Sequence, residues 1–314
     1  MIGHVGHNNT RVFREVKQLG EELERLGTSI LGAENHADVG IIFDWDNYWA
    51  LEYTSGPTED LTYVNQIHQY YKYFYDKNIG VNMIPVDADF SKYKIVVAPV
   101  LYMVKKGMAE ALTEFVKNGG ILITTFMSGI VNESDNVHLG GYPGPLRELA
   151  GVWVEEIDAL APEQTNKITF ADGTSSTCSL LCDLIHLEGA QCVASYESNF
   201  YAGMPAITKN QYGKGFTYYI GTNPTEDGIV KVLDMAVQTA GVTSVVTEAT
   251  GLEITCRKTE KYTYYFIFNF KDKVLPLPEC FAGKVDLLTN EPIQEGCHMK
   301  QYDAFLVAVP TTHR

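Results

Sequence analysis

No cysteine occurs before position 178 in a chain of 314 residues that carries six, at 178, 182, 192, 256, 280 and 297. Their spacing matches no zinc pattern: Cys178 and Cys182 are four apart, and no second pair follows at a suitable distance. The N-terminus lacks the basic, apolar and small-residue succession of a signal peptide, and no apolar run approaches about 18 residues. Positive charge is also short, with 24 Lys and Arg against 39 Asp and Glu and a formal net charge of −15. Such acidity repels nucleic-acid phosphates and anionic membranes, so neither is expected as a partner. A reduced, cytoplasmic setting with free thiols is the expectation. No Gly-x-Ser-x-Gly elbow is present, which disfavours an independent serine hydrolase.

What the chain does have is apolar content. Hydrophobic residues make up 45%, aromatics 11% and charged residues only 20%, so sizeable cores can form and the length suggests two domains. Residues 10–27 read as an amphipathic helix with Val12, Phe13, Val16, Leu19, Leu23 and Leu26 on one face. Thr10 is its expected cap and Gly27 its stop. An apolar face of that size is made to cover something, and no strand precedes it. The expectation is that its natural neighbour lies outside these residues.

From residue 38, apolar strands alternate with amphipathic helices. Val39–Phe43, Val81–Val86, Ile95–Val100 and Ile121–Phe126 are strand candidates. Helices are predicted over 61–78, with Leu61, Val64, Ile67, Tyr71, Phe74 and Tyr75 on one face, and around Met108, Leu112, Phe115 and Val116. A last one starts at Pro224-Thr225-Glu226-Asp227 and runs through Val230, Leu233 and Val237 to Gly241. This alternation predicts an α/β fold with a doubly wound, parallel sheet. The pattern loosens between 152 and 222, where strand-like pieces such as Val152–Ile157 and Thr217–Ile220 are joined by turns, and Gly213-Lys214-Gly215 reads as a hairpin turn. It lacks phosphate-loop spacing. After Gly241 only short strands follow (Leu252–Cys256, Tyr262–Phe270, Lys284–Leu288, Ala304–Val309), which predicts a small all-β sandwich.

Few residues offer chemistry. Asp44 and Asp46, with Glu52, suggest a carboxylate pair; the simpler reading is a strand-end cluster with loop hydrogen bonds, and it is preferred. Trp45 and Trp49 are candidate substrate-binding residues, as a sugar-stacking surface, against packing in the domain or a subunit interface. His4, His7 and His36 precede the α/β segment in a setting unsuited to a metal. The crowd of Tyr70, Tyr71, Tyr73, Phe74 and Tyr75 predicts either a contact surface or packing. Doubly wound folds also host glutamine amidotransferases, whose nucleophilic Cys sits at a strand-to-helix elbow. Here that elbow falls near Val100-Leu101-Tyr102, which has no thiol, so that mechanism fails.

Four stretches resemble the C-terminal part of the β-galactosidases of glycoside hydrolase family 42. They are Asn9-Thr10-Arg11-Val12-Phe13-Arg14-Glu15-Val16, Phe43-Asp44-Trp45-Asp46-Asn47-Tyr48-Trp49-Ala50-Leu51-Glu52, Gly119-Gly120-Ile121-Leu122-Ile123-Thr124-Thr125 and Asp286-Leu287-Leu288-Thr289. The resemblance implies that 1–27 is the last helix of a (β/α)8 barrel, 28–243 a flavodoxin-like trimerisation domain and 244–314 a C-terminal β domain. It further implies homotrimeric self-association, with a galactoside bound only through the barrel. In the family both catalytic glutamates lie on barrel strands before that helix. No catalytic residue, cofactor or metal is therefore expected in this chain, and the expected role is non-catalytic. A free-standing carbohydrate-binding or regulatory module is the alternative.

Overall fold

The computed structural model describes residues 4, 6–247, 249 and 251–311. They group into two compact units, one of residues 37–243 and one of residues 1–36 together with 244–314. Residues 28–36, expected with the α/β domain, group with the small unit instead.

In the small unit, α1 (Arg11–Leu26) starts where the sequence placed it. The Thr10 hydroxyl accepts from Phe13 N at 3.2 Å, and the Gly27 amide donates to Leu23 O at 3.0 Å. Its apolar face is another matter: Val12, Val16, Leu19 and Leu23 are all roughly half exposed, and only Leu26 is buried.

The larger unit begins with β1 (Val39–Ile42), α2 (Trp45–Tyr53), α3 (Tyr63–Asp76), β2 (Val81–Ile84) and β3 (Ile95–Ala98). Then come α4 (Met108–Lys117) and β4 (Ile121–Thr125). The parallel part of the sheet runs β2-β1-β3-β4 and gains β10 (Gly215–Ile220) beside β4. Every residue of β1, β3 and β4 is buried, as a strand covered on both faces requires. Alternate side chains divide between two cores. Val39, Ile41, Ile95, Val97, Ile121 and Ile123 meet α3 and α6 (Glu226–Ala240), whereas Ile42, Val96, Ala98 and Leu122 meet α4.

Two sequence expectations need correcting here. The buried face of α3 is Tyr63, Ile67, Tyr70, Tyr73 and Phe74, with Gln66 among them, while Val64 and Tyr71 are exposed. Tyrosine has an apolar ring and a polar tip, so a tyrosine-rich helix reads equally well in two rotations. The tips settle the true one: Tyr73 Oη donates to Asp234 on α6 at 2.6 Å, and Gln66 Nε2 to Asn223 at 3.2 Å.

The second concerns 152–222, where the strand pieces expected at Val152–Ile157 and Thr217–Ile220 are present but belong to a much fuller run of strands. After the short α5 (Arg147–Ala150) come β5 (Val152–Ala159), β6 (Asn166–Phe170), β7 (Ser175–Leu187), β8 (Gln191–Tyr196) and β9 (Pro205–Tyr212). With β11 (Thr222–Pro224) they extend the same sheet in antiparallel fashion. The result is one mixed sheet of 11 strands. Gly213, at φ 59, turns β9 into β10.

The small unit carries a five-stranded antiparallel sheet of β12 (Glu253–Lys258), β13 (Tyr262–Phe268), β15 (Val285–Asp286), β16 (Glu291–Pro292) and β18 (Ala304–Pro310). The second layer is only a two-stranded ribbon, β14 (Leu275–Pro276) with β17 (His298–Met299). The other face holds Tyr264, Phe266 and Leu306 against Leu26, Ile30 and Ala33. Glu34 and Lys258 exchange backbone hydrogen bonds of 2.9 Å each, so the segment after α1 joins this unit as an extra edge. No described helix is long and apolar enough to cross a membrane.

Candidate functional site

In an open α/β sheet, ligands favour the crevice at the carboxyl ends of the strands where the winding reverses. The chain passes from β1 to β2 on one side and returns to β3 on the other, so that point lies between β1 and β3. The sequence sends Asp44, Asp46, Asn47 and Val100–Lys105 there.

Charged side chains pair within this crevice. Asp44 caps α2 by accepting from Asn47 N at 3.3 Å. Lys105 Nζ sits 2.9 Å from Asp44 and 2.6 Å from Asp46. Partial burial alone would lower the Lys105 pKa, but hydrogen bonds to Asp46 and Asp44 outweigh it and hold the ammonium above its usual range. The two acids thus share one cation rather than standing free as an acid and a base. An open cavity of about 550 Å³ lies beside them, lined by Asp44, Pro85, Asp87, Lys105 and Gly107.

Asn47, which the sequence did not single out, organises the loop. Fully buried, it donates to Val100 O at 3.0 Å and accepts from Met103 N at 2.8 Å. Val100 itself stands at φ 47, a left-handed conformation that a β-branched residue rarely adopts. Its amide donates to Thr125 Oγ1 at 2.7 Å, and Leu101 N donates to Ser128 Oγ at 3.1 Å. The strand-to-helix elbow expected at Val100 is therefore sharply bent, and hydrogen-bonded at its backbone. With a valine at its apex it offers no nucleophile. The only legible trace of this network is the polar Thr124-Thr125 closing an apolar strand.

Trp45 and Trp49 are 59% and 50% exposed, on successive turns of α2, with ring centroids 6.1 Å apart and planes inclined by 34°. Tyr53, one turn further, is more exposed still. Each indole is thus half buried: Trp45 touches Phe43 edge-on at 5.0 Å, while the rest of this stripe faces outward.

A second polar group hides under the antiparallel strands. Asp183 on β7 is fully buried, and burial raises its carboxyl pKa to about 8. Tyr219 Oη donates to Asp183 Oδ2 at 2.7 Å, while Oδ1 has no partner among the described residues. Cys178 and Cys182 lie buried on the same strand; the neighbouring Cys182 thiol and burial together push Cys178 up, away from the reactive thiolate. None of the six cysteines forms a disulfide. His4, His7 and His36 are exposed, and the described residues include no group of three or more His, Cys, Asp or Glu placed to hold a metal.

The described residues thus offer a crevice whose two acids share one lysine, an outward aromatic stripe and a small β unit. Residues 37–243 match the model of the β-galactosidase trimerisation domain, and residues 251–306 that of the β-galactosidase C-terminal domain. The chain belongs to glycoside hydrolase family 42 and corresponds to the trimerisation and C-terminal domains of its β-galactosidases. It is similar to β-galactosidase LacZ of Lactobacillus acidophilus, at 47% identity over 304 residues, covering 96% of this chain and 45% of that one. β-Galactosidase BgaP of a Planococcus species is 45% identical over 313 residues, covering 98% and 46%. Among solved structures, the β-galactosidase of Bacillus circulans sp. alkalophilus superposes with a TM-score of 0.92 at 42% identity, over 98% of this chain and 46% of that one. The chain thus spans somewhat less than half the length of the relatives it matches.

Proposed function

We propose that this chain is the self-associating, non-catalytic portion of a β-galactosidase, assembling as a homotrimer through a flavodoxin-like α/β unit. The observation that carries the reading is the match of residues 37–243 to a trimerisation domain. The parallel order β2-β1-β3-β4-β10 supports the flavodoxin-like description, since that fold orders its strands 2-1-3-4-5. Trp45, Trp49 and Tyr53 supply the kind of aromatic surface that subunit interfaces favour. The half-exposed stripe of α1 fits a helix that packs against the catalytic part of such an enzyme. Substrate would be a terminal β-galactoside, hydrolysed by that part and not by the residues described here. Six cysteines without a disulfide suit a reducing, cytoplasmic compartment.

Two measurements on the purified chain test this. Light scattering is expected to give three times the 35.0 kDa of one chain, and a chromogenic β-galactoside is expected to remain uncleaved. A strict monomer at high concentration overturns the first half, and robust turnover overturns the second.

A further inference from the structure

A pocket of about 620 Å³ opens between the loop after β5 and the loop after β8, lined by Asp158, Glu163, Gln164, Thr165, Asn199 and Phe200. Its size falls in the range of small-molecule sites. We infer that it binds a neutral saccharide, one C–H face of a pyranose lying on the Phe200 ring while the surrounding carboxylate and amide groups take its hydroxyls. This goes beyond the self-association reading and does not depend on it.

Three observations carry the inference. The first is Phe200, a phenyl ring left 76% exposed at the rim of a polar pocket. Tyr201 packs edge-on against it, with centroids 4.9 Å apart, so its orientation is fixed by a buried neighbour. The second is rigidity. Buried Asn166 holds the second loop by donating to Ser198 O at 3.1 Å and accepting from Ser198 N at 3.2 Å and Ser198 Oγ at 2.5 Å. Asn199, at φ 70, donates to Tyr201 Oη at 2.9 Å, and Tyr201 donates to Asp158 Oδ2 at 2.6 Å, tying one loop to the other. On the first loop, Gln164 Oε1 accepts from Ala161 N at 3.2 Å, which aims its amide. Loops held this firmly lose little freedom on binding, which is what preorganisation contributes to affinity.

The third observation is the mixture of groups. Asp158, Glu163 and the Asn199 carbonyl accept, whereas the Gln164 amide and the Thr165 hydroxyl donate. A sugar hydroxyl does both, so a polyol can satisfy the whole set. A metal cation would leave the donors unpaired, and the lining contains no Lys or Arg to attract an anion.

The test is a titration of the full chain with lactose, followed by saturation-transfer NMR. Saturable binding is expected, insensitive to salt because no net charge is exchanged. Phe200→Ala is expected to weaken it by about tenfold or more through loss of the apolar face. Trp45→Ala and Trp49→Ala are expected to leave it unchanged. Absence of saturable binding, binding abolished by salt, or binding that survives Phe200→Ala and Asp158→Asn overturns the inference. So does a Phe200→Ala variant that binds lactose normally but loses self-association, which would make the loop a protein contact. The circular dichroism of each variant confirms that it is folded.

Discussion

Helices α1 and α4 carry the same kind of apolar stripe and meet opposite fates. On α4, Met108, Leu112, Phe115 and Val116 are buried against the sheet. On α1, Val12, Val16, Leu19 and Leu23 face outward, and only the C-terminal turn is anchored, by Leu26 and by Arg25 Nη2 donating to Leu288 O at 2.9 Å. Periodicity therefore establishes that a helix has a covered side but not what covers it. Among the described residues, α4 finds its cover within its own unit, while the α1 stripe is left open.

The sharpest way to break the contrast is a matched pair of truncations. Leu112→Ala, on the buried face of α4, is expected to cost about 2–5 kcal/mol. Leu19→Ala on α1 should cost about 0.5 kcal/mol or less. Urea unfolding of both variants measures the difference. A Leu19 effect of core size would show the stripe to be covered after all.

The same logic separates the two polar groups beneath and beside the sheet. Asn47→Ala leaves Val100 O and Met103 N without buried partners and is expected to cost about 2–4 kcal/mol, again by urea unfolding. Asp183 acts through pH instead. Its folded pKa of about 8 lies above the ordinary 3.8, so between those values the native protein holds a proton that the unfolded chain releases. Its stabilising contribution is complete below the lower value and is lost progressively as pH rises to the upper one. Asp183→Asn is expected to flatten that slope, seen as a thermal midpoint that varies less from pH 5 to 8. An unchanged slope would refute the assignment.

Lys105→Met should also have only a small effect. Its ion pairs are partly solvated, so a loss of about 1 kcal/mol or less is expected in chemical denaturation. A larger loss would mean that the crevice is held by charge rather than by Asn47.

These residues also show how far the sequence can be read. The caps of α1, the buried face of α4 and the alternation of the parallel core are legible because each rests on one local rule. The antiparallel extension is legible only at its first strand, Val152–Ile157, and not beyond it. Leu180 sits at φ 66 within β7, and its pairing with β5 and β11 shifts register, so strict alternation is interrupted where it was needed. The boundary near 37 was hidden for another reason: residues 28–36 are held by packing and a backbone bridge to residues over 200 positions later, which no local pattern reports. Asn47 and Asp183 stayed silent because a single polar residue beside an apolar run looks alike whether it is exposed or buried. Trp45 and Trp49 were legible as candidates, but only coordinates distinguish an outward stripe from core packing.

The central claim is that α2 presents a surface for copies of this chain. Sedimentation equilibrium of the full chain and of the Trp45→Ala/Trp49→Ala double variant tests it most directly. The account predicts a trimer for the parent chain and a shift toward monomer for the variant, with unchanged circular dichroism. A parent chain that stays monomeric, or a variant that assembles as tightly as the parent, would contradict it.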